Sequence, residues 1–305
     1  MKFKPQYIKL LIVFFLFIST TACSLKKAAT TTIGKVAYDG TIVVESEEDV
    51  ELARNSIPSL ILTLEVFAQG NPDDKTILTL LARSYGQYAF GFIEEDLIRY
   101  KGVDPVLYDK SRTRAKLFYK KGMDYGLRSL WKGNKLKDIL SSPQEKFEKE
   151  LKRYSKKQVP SLFWAAFCWG CWINLNRDDP EVFIDVSKVE AMVKRVIELD
   201  STYYFGSAHS FLGAMASTRP VILGGNPSLA KESFNKAISI SPEYLMNKVL
   251  FAQYYGVQFQ DKKMFEEQLD SVEKSINKGQ PNMRLANELA MIRAKLLLQR
   301  EKDFF

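Results

Sequence analysis

Apolar residues along most of this chain recur every three or four positions, with polar or charged residues between them. From Val50 the apolar positions are Val50, Ala53, Ile57, Leu60, Leu64 and Phe67, the one-sided stripe of an amphipathic helix. Ser46-Glu47-Glu48-Asp49 precedes that stripe with the spacing of a capping box. Gly70-Asn71-Pro72-Asp73 ends the helix and starts the next. No segment alternates apolar and polar residues for long, so the pattern predicts helices and argues against a sheet. The periodicity lapses only near the start. Residues 24–45 are small, Thr-rich and irregular, and predict a tether with a short extended stretch.

The helices come in related pairs. Ala230, Phe234, Ala237 and Pro242 are separated by 4, 3 and 5 positions. Val189, Val193, Val196 and Ser201 repeat those gaps, and Phe265, Leu269, Val272 and Ala115, Tyr119, Gly122 repeat the first two. Each has a partner helix with a large residue, a small one and then an apolar one: Leu81-Ala82 with Tyr85, Trp169-Gly170 with Ile173, Leu212-Gly213 with Ala216, Phe251-Ala252 with Tyr255. The small residue lets the paired helix come close while its neighbours fill the gap. This is the spacing of tetratricopeptide repeats. The predicted fold class is therefore all-α, made of stacked tetratricopeptide-like hairpins, α-solenoid-like and compact. It comprises four degenerate hairpins, an opening helix over 46–69 and a closing helix over about 281–301. One hairpin cannot bury its own apolar face, so neighbours should stack. The charged segment 132–157, with Ile139, Leu140, Phe147, Leu151 and Tyr154 as contacts, reads either as a surface helical excursion or as a partner-docking arm.

The first residues carry a different pattern. Lys2, Lys4 and Lys9 precede an unbroken apolar run over 10–18, and Thr20, Thr21 and Ala22 lead into Cys23. This is the layout of an export signal, with an apolar run too short for a membrane span. Cys23 after a small residue predicts a bacterial lipoprotein acylated at that Cys, although Thr20 stands where such signals usually carry Leu; plain secretion is the alternative. The expected organisation is a signal peptide over 1–22, a lipidated Cys23 with its tether over 23–45, and a single helical domain over 46–305. The location expected is the periplasmic side of a bacterial membrane. The outer membrane is favoured because Ser24, rather than Asp, follows Cys23.

Composition narrows the chemistry. The net charge is +8, and removing 1–22 takes away three Lys and no acid, leaving 41 basic against 36 acidic side chains. No dense basic run lies beside aromatics, so nucleic acid is not an expected partner. Cys168 and Cys171 form a CxxC, but an activated pair needs a helix N-terminus after a strand, and these lie inside an apolar helical run. They read as two small buried side chains or an incidental disulfide. His209 is the only His, so no His-rich metal site is expected. No GxSxG, HExxH or phosphate loop occurs; no enzyme activity, cofactor or metal is expected. Leu223-Gly224-Gly225-Asn226-Pro227 reads as a helix start with Asn226 as N-cap, and Asp178-Asp179-Pro180 reads likewise.

One stretch exceeds what a core stripe needs. Residues 160–176, PSLFWAAFCWGCWINLN, hold three of the four Trp and two Phe. With Trp169, Gly170 and Ile173 turned into their hairpin, Trp164, Phe167 and Cys171 share another face, extended by Asn174 and Leu175. The same register on other first helices selects Thr79, Arg83 and Gln87; Ser207, Ser210, Ala214 and Ser217; and Met246, Val249 and Gln253. This predicts an apolar wall beside small and polar ones, suited to a partly apolar organic ligand. The alternative is that these aromatics are simply core. Arg219 either meets a ligand carboxylate or serves as a helix C-terminal cation beside Pro220.

Three segments carry a resemblance: KGMDYGLRSL over 121–130, VPSLFWAAFCWGCWINLNRDDP over 159–180, and 217–269 with its RPVILGGNP turn and LMNKVLFAQYYG. With FAQGNPDD ending the opening helix, the chain resembles the T-component family of TRAP (tripartite ATP-independent periplasmic) transporters over most of 46–300. The resemblance implies an exported, lipid-anchored protein and a homotrimer whose subunits each have a pore. It also implies a P-component solute-binding protein as partner and an apolar organic small molecule as cargo. The ligand-binding residues expected are Trp164, Phe167, Cys171, Arg219, Ser210, Ala214 and Val249. A lipid-anchored scaffold with no ligand of its own is the competing reading.

Overall fold

The structure, a computed structural model, describes residues 25–219, 225–275 and 280–305, and among these no strand occurs. The chain begins with α1 over 25–39, then α2 (Thr41–Glu45), α3 (Val50–Gly70) and α4 (Lys75–Tyr88). A π-helical turn, Ala89–Ile93, leads into α5 (Glu94–Tyr100) and the long α6 (Pro105–Leu130). The excursion folds as α7 (Asn134–Leu140) and α8 (Gln144–Leu151), followed by the aromatic α9 (Val159–Leu175) and α10 (Val186–Leu199). Then come α11 (Tyr203–Thr218), α12 (Pro227–Ile240) and α13 (Met246–Leu250). A second π-helical turn, Phe251–Gly256, precedes α14 (Lys262–Glu273) and α15 (Arg284–Gln299).

Short acidic or amide side chains start the helices. Asp49, Asp104, Asn226 and Asp261 each accept from the amide three residues on, and Asp74 accepts from Thr76 and Ile77. Such a cap contributes about 1 kcal/mol by satisfying an amide that has no partner inside the helix. Asn226 with Pro227 starts α12 as expected, and Asp179 with Pro180 starts a short 3-10 turn. The capping box expected at Ser46 does not form. Asp49 is the N-cap of α3, and the Ser46 hydroxyl donates instead to the Val43 carbonyl.

The segment expected to be an irregular tether is helical. Lys26, Lys27, Ala28 and Ala29 favour a helix, and Thr30 and Thr32 donate back to the Lys26 and Ala28 carbonyls. α1 docks on α4, where the Thr31 hydroxyl donates to Asp74 at 2.6 Å and a Cβ on Gly34 would lie 2.7 Å from Ile77.

The predicted pairs pack as α4 with α6, α9 with α10, α11 with α12, and the second π-helical turn with α14. Their matching positions are buried, including Leu81, Ala82, Ala115, Tyr119, Val189, Val193, Ala230, Phe234, Phe265 and Leu269. At Gly213 a Cβ would lie 2.8 Å from the Phe234 ring, so this small residue sets the α11–α12 approach. In the excursion Phe147 packs on Trp131, and Ile139 and Leu151 are buried. α15 packs on α13 and α14 and also touches α2, α3 and α5, so the last helix closes against the first ones. A space remains between them, and it holds the candidate site.

Candidate functional site

A cavity of about 640 Å³ lies among α2, α3, α4, α9, α10, α11, α13 and α15. α9 supplies its aromatic wall. Phe163, Trp164, Phe167, Gly170, Cys171 and Asn174 are spaced so that they form one stripe of that helix. α11 supplies Ser207, Ser210, Phe211, Ala214 and Met215 opposite. Arg83, Ser84 and Gln87 come from α4, and Phe90 comes from the first π-helical turn.

Of the residues selected from sequence, Trp164, Phe167, Cys171, Ser210, Ala214 and Arg219 all reach this lining, as do Arg83, Gln87, Asn174, Ser207 and Met246. Val249 does not: it is completely buried in the core. The lining from that part of the chain is Met246, Leu250 and Tyr254. Met246 and Leu250 stand one helical turn apart on the lining, and Val249 falls on the side of α13 that packs into the core. Gln253, Ser217 and Leu175 are likewise off the lining. Ser217 donates to the Gly213 carbonyl inside its own helix. Thr79 is buried against Ser161, with the two hydroxyl oxygens 2.7 Å apart.

Several lining residues gave no sequence signal. Thr41, Val44 and Glu45 come from a segment read as irregular, and Leu285, Ala286 and Leu289 from the closing helix. Tyr204 lies in a turn that periodicity does not predict. Tyr204, Phe205 and Gly206 have φ of 45°, 61° and 75°, and for the first two this left-handed backbone costs about 1–2 kcal/mol each. Aromatic packing offsets it: Tyr204 lies 5.0 Å from Trp164, and Phe205 stacks 4.6 Å from Tyr244. Phe211 could have been found, because it lies one turn after Ser207 on the selected face.

Two of the arginines at the wall, Arg83 and Arg219, are already paired with carboxylates. Arg83 forms an ion pair with Glu45 and donates from Nε to Gln87 at 3.2 Å. Its guanidinium lies 5.8 Å from the Trp164 ring and 5.5 Å from the Tyr204 ring. Gln87 donates to the Tyr204 hydroxyl at 2.6 Å, and the Trp164 indole donates to Tyr203 at 3.1 Å. Arg219 combines two roles: it lines the cavity, and its Nε donates to the Met215 carbonyl at the end of α11. Its Nη2 is bound by Glu190.

Under the Phe90–Cys171–Tyr254 edge lies a buried polar cluster. Tyr119 donates to Glu94 at 2.6 Å, Arg293 lies 3.8 Å from the same carboxylate, and the Arg293 guanidinium stands 4.3 Å over the Phe90 ring. Burial pushes the Glu94 carboxyl above its usual range, against the opposing effects of Arg293 and Tyr119.

Cys168 and Cys171 are free thiols. Cys168 fits between α4 and α6 and donates to the Ala82 carbonyl at 3.4 Å. Burial pushes both thiols above their ordinary pKa, and for Cys171 the Glu94 carboxylate adds to the effect. That is the opposite of what an activated redox pair needs. Among the described residues no group of His, Cys, Asp and Glu could hold a metal ion. His209 lies off the cavity lining, and burial holds its imidazole below the usual range. The arrangement is a largely apolar host in which Arg83 and Arg219 are neutralised by Glu45 and Glu190, and Arg177, among the described residues, meets only the Asn174 side-chain oxygen.

Residues 46–305 match the model of the family described as TRAP transporter T-component. The chain is also 22% identical over 270 residues to an uncharacterized protein of Treponema pallidum (strain Nichols), an alignment covering 88% of this chain and 84% of that protein.

Proposed function

The chain belongs to the TRAP transporter T-component family, and from that premise we propose that it binds an apolar organic small molecule in its cavity in association with a TRAP-type transporter. The observation that carries this reading is the aromatic face of α9, which borders an open space rather than packed core. A cavity of about 640 Å³ is within the range that holds one organic ligand. Arg83 and Arg219 on the wall are paired with Glu45 and Glu190, and the rest of the wall is mostly apolar, which suits a ligand recognised chiefly by its apolar surface.

In the same reading the protein is lipid-anchored through Cys23 on the periplasmic side of a bacterial membrane, with the outer membrane favoured. Cys23 and the signal over 1–22 lie outside the described residues. Among the described residues no helix is long and apolar enough to cross a membrane. A P-component solute-binding protein is the proposed partner, and a homotrimer the proposed assembly. Arg219 belongs to the segment that carries the sequence resemblance, and the 220–224 part of that segment lies outside the described residues.

The test is native mass spectrometry of the purified protein, followed by organic extraction of what it carries. A trimer releasing a defined apolar molecule is the expected result. A particle that is empty, and stays empty when offered decanoate, would favour the scaffold reading.

A further inference from the structure

A second pocket, of about 410 Å³, lies on the other side of α4, between α1, the end of α6 and the start of α9. Its lining includes Lys35 from α1, Lys75 from the first turn of α4, and Lys157 just before α9. None of these three ammonium groups has an ion pair or hydrogen-bond partner among the described residues, and one carboxylate, Asp39, shares the lining.

This distribution is unlike that of the lysines nearby. Lys156 pairs with Asp200 at 3.0 Å, Lys132 with Asp73 at 3.3 Å and Lys135 with Glu150 at 2.6 Å. Asp73, Glu150 and Asp200 are thus committed to other lysines, and Lys35, Lys75 and Lys157 surround one concave site with Asp39 as its one lining carboxylate. Such an arrangement raises the local positive potential and favours a counter-anion. The remaining lining can donate hydrogen bonds. The Gln158 side-chain oxygen is taken by Ser155, which leaves its amide nitrogen unused, and the Thr76 and Tyr38 hydroxyls have no partner among the described residues. The α4 N-terminus is already capped by Asp74, so side chains rather than helix amides define the site.

We propose that this pocket is a binding site for a compact anion of the phosphate type, separate from the apolar cavity. Lys35 reaches it only because α1 is helical and docked, so an occupant would clamp α1 onto α4. Along α1, Lys35 stands ten residues after Leu25, or about 15 Å from the start of that helix. The same chemistry is offered by a soluble phosphate and by the headgroup of an anionic lipid.

Calorimetric titration of the full chain in neutral detergent micelles with inorganic pyrophosphate tests the site. The expected result is saturable binding that weakens roughly tenfold or more in Lys35→Gln/Lys75→Gln/Lys157→Gln. It should be unchanged in Lys101→Gln/Lys110→Gln/Lys231→Gln, which removes the same charge elsewhere. Hydrogen exchange over 25–39 should slow when pyrophosphate is added to the wild-type chain. Absence of saturable binding up to about 10 mM would overturn the proposal. Equal weakening in both variants would overturn it too, because it would mean general charge attraction. Phosphatidylglycerol added to the micelles separates the sources: competition with pyrophosphate identifies a headgroup site, and its absence a soluble anion.

Discussion

The Arg219 guanidinium donates to the Glu190 carboxylate at 2.7 Å at the edge of the apolar cavity. Glu190 is also paired with Lys194 at 2.8 Å. Burial pushes the Glu190 carboxyl up, but the hydrogen bonds from Lys194 and Arg219 outweigh it and hold the pKa below the usual carboxylate range. A lowered folded pKa means the pair's stabilisation is present above the unfolded pKa and is lost as pH falls through the folded one.

Glu190→Gln should therefore flatten the acid side of the stability profile. Denaturant midpoints at neutral pH and at about pH 3 should lie closer together than in wild type. The same variant frees Arg219 on the wall, and decanoate binding should strengthen by roughly tenfold. A profile as steep as wild type would show that the pair contributes nothing.

Ala214 offers a way to fill the cavity without breaking the core, because it is half-buried on the α11 wall. Ala214→Phe should abolish retention of an apolar ligand on extraction and change stability by about 1 kcal/mol or less. Trp164→Ala is the contrasting case. Trp164 is only 2% exposed, so its truncation should cost about 3–5 kcal/mol whatever happens to ligand binding.

Where α6 crosses α9, Gly126 lies against Ala165, and a Cβ on Gly126 would stand 2.7 Å from the Ala165 Cα. That neighbour is backbone and cannot rotate away. Gly126→Ala should lower stability by about 1–3 kcal/mol, read as a lower denaturant midpoint at unchanged slope.

Neither thiol should react readily in the native protein. Burial raises both pKa values, so thiolate is scarce at neutral pH. Iodoacetamide at pH 8 should modify Cys168 about 100-fold more slowly than in the unfolded chain, as followed by intact mass. Cys171 borders the cavity, so an apolar ligand should slow its modification further, and no such change is expected at Cys168.

The sequence by itself determined the all-α class and the pairing of helices. Both follow from local periodicity, and the small residues at Ala82 and Gly213 mark where paired helices touch. It also selected most of one cavity wall, because Trp164, Phe167 and Cys171 must share a face of any regular helix. Tertiary structure decided the rest. The helical state of 25–39 depends on docking against Asp74 and Ile77, contacts made more than forty positions away. That Leu250 and Tyr254 face the cavity while Val249 enters the core is set by how α13 is rotated against its neighbours, which a register projected from other hairpins does not fix. The partners that neutralise Arg83 and Arg219 come from other helices, Glu45 and Glu190, and no spacing rule joins them. Whether an aromatic helix face becomes packed core or cavity wall is set by what stands opposite it, here α11 and the closing α15.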